Sequence, residues 1–173
     1  MNKTLIITIL ATDRPGIVNT ISEALVSHDA NWIDSRMANL CDKFAGLVQV
    51  TVPAAKLDTL KHALQTLHDA DNQLHILMEE AVDPTSSVVS ELSLELIGAD
   101  RPGIIDDITG ALARLNVNIK ELNTEQREAS MSSEILFWAS LKLGLPEGVS
   151  GDDVQDALSE LQDQLMVDFN FED

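Results

Sequence analysis

Basic residues are scarce in this chain: 11 Lys and Arg stand against 29 Asp and Glu, a formal net charge of −18 at pH 7. DNA carries about one negative charge per 1.7 Å of axis, and proteins that bind it answer with basic patches. The few basic residues do not cluster along the sequence, so direct nucleic-acid binding is excluded as a reading. Tyrosine is absent and aromatics make up 3% of the chain, which leaves no run of rings on which bases would stack. A single cysteine, Cys41, rules out an internal disulfide and suits a reducing, cytoplasmic compartment. It stands beside Asp42 with no neighbouring base, so it reads as a plain thiol rather than a nucleophile. No apolar run approaches the roughly 18 residues of a membrane span. Leu5–Ala11 after Lys3 superficially resembles a secretion signal, but Thr8 interrupts it, Asp13-Arg14 follows at once, and its counterpart Leu92–Gly98 lies deep in the chain. A strand is the better reading. No two of His28, His62, His68 and His75 have the i, i+4 spacing of a helical metal site, and neither HExxH nor a phosphate-binding glycine loop occurs. No catalytic residue, metal or cofactor is expected.

What is present is a duplication. Asp13-Arg14-Pro15-Gly16-Ile17 recurs as Asp100-Arg101-Pro102-Gly103-Ile104, 87 residues later. When Ala11–Trp32 is laid on Gly98–Ile119 without a gap, nine of 22 pairs are identical, including Ile21/Ile108, Ala24/Ala111, Leu25/Leu112 and Asn31/Asn118. The period exceeds the roughly 20–50 residues of solenoid repeats and indicates two small domains in tandem. Residues 1–82 form the first, 83–88 a linker and 89–173 the second. Domains this small bury only about 60–65% of their unfolded surface. The copies are therefore expected to pack on each other or on a second chain, as a homo-oligomer.

Each copy carries the same succession of patterns. Leu92-Ser93-Leu94-Glu95-Leu96 alternates like a half-buried strand, and its counterpart Leu5–Leu10 is apolar on both faces. Ile17, Ile21, Ala24 and Leu25, and then Ile104, Ile108, Ala111, Leu112 and Leu115, fall at helical spacing. Strands are predicted at Trp32–Leu40 and Phe44–Val52, and roughly at Ile119–Gln126 and Met131–Leu143, closed by Pro53 and Pro146. Second helices follow, with stripes Leu57, Leu60, Leu64, Leu67 and Val154, Leu158, Leu161, Leu165. Ser150 with Asp153 forms a capping-box pattern. Last strands are predicted at Leu74–Glu79 and Val167–Phe171, where Val167, Phe169 and Phe171 alternate with Asp168 and Asn170. The order β-α-β-β-α-β gives the α+β class: two ferredoxin-like units, each a four-stranded antiparallel sheet with helices on one face.

The duplicated loop joins a strand to a helix and admits two readings. In the structural one, Asp13 and Asp100 cap their helices, Pro15 and Pro102 occupy the first turn, and Gly16 and Gly103 let helix and sheet approach. In the functional one, the free N–H groups of the helix start hold the carboxylate of a small amino acid, with glycine leaving the backbone open. Asn31 and Asn118, which open the second strands, would supply amide donors and acceptors, or else serve as turn residues.

Asp-Arg-Pro-Gly-Ile at the first strand–helix turn, with Val117-Asn118-Ile119 at the second strand, resembles the ACT domain family. A tandem pair with nothing attached is similar to the glycine cleavage system transcriptional repressor family. That resemblance implies a non-enzymatic, amino-acid-responsive regulator, with glycine as a possible ligand. It implies repression of glycine cleavage genes through a protein partner such as a transcriptional activator, without DNA contact. The alternative is a regulatory subunit, or stand-alone ACT module, of an amino-acid or one-carbon metabolic enzyme. The ligand site implied comprises Asp100, Arg101, Pro102, Gly103, Ile104 and Asn118, with Asp13, Arg14, Pro15, Gly16, Ile17 and Asn31 in the first copy. Many ACT domains carry glycine where this chain has Asp29 and Asn116, and Trp32 stands where the second copy has Ile119. An indole there would fill the first site and make the second the better one.

Overall fold

A computed structural model describes residues 1–81, 88–128, 135–161 and 165–170. The chain divides into two compact units, Met1–Pro84 and Thr85–Asp173. Residues 83–87 of the expected linker fall outside the described set, and Val88 already opens a strand.

The first unit runs β1 (Asn2–Thr12), α1 (Ile17–Ser27), β2 (Asn31–Leu40), β3 (Lys43–Pro53), α2 (Leu57–Ala70) and β4 (Leu74–Glu80). The second runs β5 (Val88–Ala99), α3 (Ile104–Arg114), β6 (Asn118–Glu128), β7 (Ile135–Pro146), α4 (Gly151–Ser159) and β8 (Leu165–Asn170). The sheets have the orders β2-β3-β1-β4 and β6-β7-β5-β8, and every pairing is antiparallel. Both units thus have the ferredoxin-like arrangement that the patterning predicts.

The cores follow from the two periods. Leu5, Ile7, Ile9 and Ala11 alternate onto one face of β1, and Val48, Val50 and Val52 do the same on β3. Ile17, Ile21 and Leu25 of α1 and Leu57, Leu60 and Leu64 of α2 close over them. The second unit repeats this with Leu92, Leu94 and Leu96 on β5, Ala139, Leu141 and Leu143 on β7, and Ile104, Ile108 and Leu112 on α3. Each of the Val, Leu and Ile side chains contributes about 1.5–3 kcal/mol on full burial. No polar or charged residue is buried among those described.

Irregularities of the backbone are duplicated as well. Gly16 and Gly103 have positive φ of 94° and 87°, and Asp29 and Asn116 have 54° and 56°. The register of β2 on β3 shifts between Trp32 and Asp34, and that of β6 on β7 between Ile119 and Glu121. All three features recur at the 87-residue spacing.

Two expectations need correction. Leu165 does not extend the stripe of α4: the helix ends at Ser159, and Leu165 pairs with Gly98 as the first residue of β8. Leucine suits either element, and the open edge of β5 takes it into the sheet. The last strand therefore starts two residues earlier than Val167, while Phe171 lies outside the described residues, as do residues 131–134 of the predicted third strand. Trp32 does not reach the duplicated loop. It is partly buried against the core of the first unit. The capping box is present as expected: Asp153 N–H donates to the Ser150 hydroxyl at 3.3 Å, and Ser150 N–H donates to the Asp153 carboxylate at 2.8 Å.

Candidate functional site

Each Asp-Arg-Pro-Gly segment is a turn that aims a helix back across its sheet. In the turn Arg-Pro-Gly-Ile, proline sits at the second position, where its ring presets φ, and glycine at the third. Gly16 has φ 94°, ψ −8° and Gly103 has φ 87°, ψ −4°, the geometry of a type II turn at that position. Glycine is needed for that angle, not for close packing. A Cβ on Gly16 would meet nothing within 4 Å, and one on Gly103 only Arg101 Nη1 at 3.8 Å.

The aspartates do not cap the helices. Gly16 and Gly103 hold the N-cap positions with no side-chain cap, and their carbonyls accept from Thr20 and Asp107 at 2.9 and 3.0 Å. Three residues of turn separate each aspartate from the first helical residue, so its carboxylate points elsewhere. Asn39 Nδ2 donates to Asp13 Oδ2 at 2.5 Å, and Gln126 Nε2 donates to Asp100 Oδ2 at 2.6 Å. The backbones are anchored similarly: Asp13 N–H donates to Asp42 O at 2.8 Å and Asp100 N–H to Ile135 O at 3.1 Å. At the first hairpin, a hydrogen bond from Lys43 holds the Asp42 carboxyl below its ordinary pKa of 3.8. The first-turn N–H groups of α1 and α3 are left without capping side chains, at the positive end of the helix dipole.

Asn39 and Gln126 are the amides that the sequence reading missed. They lie 87 residues apart, so the duplication offset was the signal that would have found them. Asn31 and Asn118 lie elsewhere. Asn31 pairs with Thr51, which pairs with Thr4 at the start of β1. Asn118 pairs with Gly144, which pairs with Glu91 near the start of β5. Nine residues of strand then separate each asparagine's row from the loop aspartate, roughly 30 Å at 3.3 Å per residue. Within a unit the structure brings together Asp, Arg, Pro, Gly and Ile of the motif, and leaves Asn31 and Asn118 at the opposite end of the sheet.

The loops border unequal cavities. Around the second lies a cleft of about 410 Å³, lined among others by Asp100, Arg101, Gly103, Ile105, Gln126 and Phe137. That volume falls within the roughly 300–1,000 Å³ of small-molecule sites. The corresponding hollow at the first loop, beside Asp13, Gly16 and Phe44, measures about 160 Å³. A further cavity of about 330 Å³ opens on its helix side, between the turn and Leu67, Ala70 and Asp71.

The arginines explain part of the difference. Arg14 pairs with Asp71 at the end of α2. Arg101 pairs with Asp107 of the helix that follows it at 2.5 Å, and its buried Nε has no hydrogen-bond partner. Glu125, at the rim of the second cleft, is held by Arg127, whose guanidinium lies 3.9 Å from the centre of the Trp138 ring.

Ten of the 11 Lys and Arg side chains stand within ion-pair distance of a carboxylate; Lys3 is the remaining one. Among the described residues no three His, Cys, Asp or Glu side chains converge as a metal site. His68 and His75 have ring centres 5.6 Å apart, but His68 Nδ1 accepts from Ile76 N–H at 3.2 Å, which gives the ring a structural role. Cys41 is exposed in the β2–β3 turn. No described helix is long and apolar enough to cross a membrane.

Comparison with known proteins supports the architecture. The ACT domain family model matches residues 3–77. The glycine cleavage system transcriptional repressor of Escherichia coli (strain K12) is 26% identical over 162 residues, covering 93% of this chain and 85% of that protein. The crystal structure of an unknown protein from Galdieria sulphuraria superposes with a TM-score of 0.84 at 28% identity, over 98% of both chains. That of a candidate glycine cleavage system transcriptional repressor superposes with a TM-score of 0.70 at 19% identity, over 99% of this chain and 98% of the other, a likeness of fold. The first unit matches the ACT domain family, the second repeats its architecture, and the chain, with two ACT-like domains, resembles the glycine cleavage system transcriptional repressors.

Proposed function

We propose that this chain is a non-enzymatic regulator that responds to a small amino acid at the cleft beside Asp100 and represses glycine cleavage genes through a protein partner. The observation that carries the reading is the likeness to the Escherichia coli repressor along 93% of the chain, joined to an open cleft at the duplicated turn. In this reading the ligand carboxylate meets the first-turn N–H groups of α3 and the Arg101 guanidinium, and its ammonium meets the Asp100 carboxylate oriented by Gln126. The second copy is the principal site because the cleft beside Asp100 is more than twice the corresponding hollow beside Asp13. The first copy's set, Asp13 to Ile17, is proposed as a weaker or differently selective site. Asn31 and Asn118 take no part within their own unit.

Action through a partner fits the charge. With ten of 11 basic side chains already beside carboxylates, no bare basic surface is left for phosphates among the described residues. A basic protein surface is the partner that the net charge of −18 favours. Leu10, Leu47 and Leu77, on the sheet face away from α1 and α2, are 46%, 51% and 65% exposed and offer apolar area for such an association.

Calorimetric titration with glycine tests the site. Saturable heat is expected from the native protein and from Asp13→Ala, and loss of that heat from Asp100→Ala. Equal heat from all three would remove the second loop as the site. Gel-shift assays over a salt series test the partner: affinity for DNA alone, falling steeply with salt, would overturn the indirect mechanism.

A further inference from the structure

The two copies differ in where the motif arginine is held, and one position decides it. Asp107 lies one turn into α3, and its N–H donates to Gly103 O at 3.0 Å. Its carboxylate takes Arg101 Nη2 at 2.5 Å. At the 87-residue spacing the first copy has Thr20, which carries no charge, and Arg14 turns instead to Asp71 in the turn before β4. Arg101 therefore stays at the wall of its cleft, with an internal carboxylate on one edge of its fork and a buried, unpartnered Nε on another.

A guanidinium presents five N–H donors in a plane that matches a carboxylate at two points, and a carboxylate already seated there competes with any other. We propose that Asp107 is the residue that sets the affinity of the second cleft for a carboxylate ligand, by occupying Arg101 until the ligand displaces it. The proposal rests on the amino-acid reading of that cleft and adds to it a competitor on the adjoining helix, whereas the first copy's arginine is held by Asp71 from outside its motif and its helix. It places the binding threshold in the strength of one ion pair, with the two side chains 33% and 41% exposed.

Two probes separate this proposal from the reading beneath it. Glycine, followed by calorimetry, is expected to bind Asp107→Asn about two- to five-fold more tightly than the native protein, the equivalent of one exposed ion pair. Sodium acetate supplies a carboxylate without an amine. Followed through the Arg101 Nε–H resonance, assigned with Arg101→Lys, it is expected to shift that signal at lower concentration in Asp107→Asn than in the native protein. Asp106→Asn removes the same charge from the exposed neighbour and controls for the general field. Equal gains in Asp106→Asn and Asp107→Asn, or an acetate response in Asp107→Asn no stronger than the native one, overturn the proposal. If no protein binds glycine but acetate still separates Asp107→Asn from both others, the amino-acid reading falls and the role of Asp107 stands. If glycine binds all three alike and acetate does not separate them, the reverse holds.

Discussion

Gln126 donates its side-chain amide to the carboxylate of Asp100 at 2.6 Å, and Asn39 makes the same bond to Asp13 at 2.5 Å in the other unit. The bond crosses from the second strand of each unit to the turn after the first, and it survives a change of amide from asparagine to glutamine. It fixes the direction of a carboxylate that would otherwise swing freely in water. Gln126→Ala should therefore leave stability within about 0.5 kcal/mol, as for other exposed substitutions. It should weaken glycine binding several-fold if Asp100 meets the ammonium. Thermal melts paired with calorimetry check both halves, and unchanged binding would detach the pair from the ligand.

The turn glycines make a second case. Because a Cβ at Gly16 or Gly103 has open space, the cost of a side chain there is the positive φ itself. Gly103→Ala is expected to lose about 1–2 kcal/mol in urea unfolding, and Gly103→Asn distinctly less, since asparagine tolerates left-handed backbone. Equal losses would mean that sterics, not the dihedral angle, sets the requirement.

Acid should act near the start of β5. Hydrogen bonds from Lys120 and Lys142 hold the Glu91 carboxyl below its ordinary pKa of 4.5. A carboxylate lowered in the folded state stabilises the fold fully above that ordinary value, and the contribution fades as pH falls through the folded pKa. Glu91→Gln should thus lower the urea midpoint at pH 7, and the gap to the native protein should narrow as pH falls below 4.5. A gap that does not narrow with falling pH would assign the effect to packing instead.

Ser150→Ala removes the side chain on which the start of α4 depends. The bond from Asp153 N–H to the hydroxyl should be lost, at about 1 kcal/mol, while the backbone N–H of residue 150 can still donate to the Asp153 carboxylate. Asp13→Ala is the contrasting case, because Asp13 caps nothing. A comparable loss on both substitutions, read by chemical denaturation, would restore the capping role to the aspartate.

Much of the fold was legible because it is local. The alternation of Leu92, Leu94 and Leu96, the helical spacing of Ile17, Ile21 and Leu25, and the closing prolines Pro53 and Pro146 each specify their element without reference to a distant partner. The site was legible only in its loop. Asn31 and Asn118 drew notice by being identical, yet strand register, which no local pattern states, places them at the far end of the sheet from Asp13 and Asp100. Asn39 and Gln126 went unseen for the same reason in reverse, as different residues that the hairpin returns to the loop. The capping assignment failed on a count of turn residues: Arg14, Pro15 and Gly16 stand between Asp13 and the helix and hand the cap position to glycine.

The positive φ at Gly16 and Gly103, the left-handed residues Asp29 and Asn116, and the shifted registers at residues 33 and 120 are inherited together, although the side chains at several of these places have changed. What descended from the ancestral unit is thus a schedule of bends more than a set of contacts. A schedule of bends tells each chain segment where to turn and makes no demand on what the rim of the turn displays. Two halves that share it are free to diverge in chemistry without refolding, one keeping its arginine against a neighbouring helix and the other holding it at an open wall.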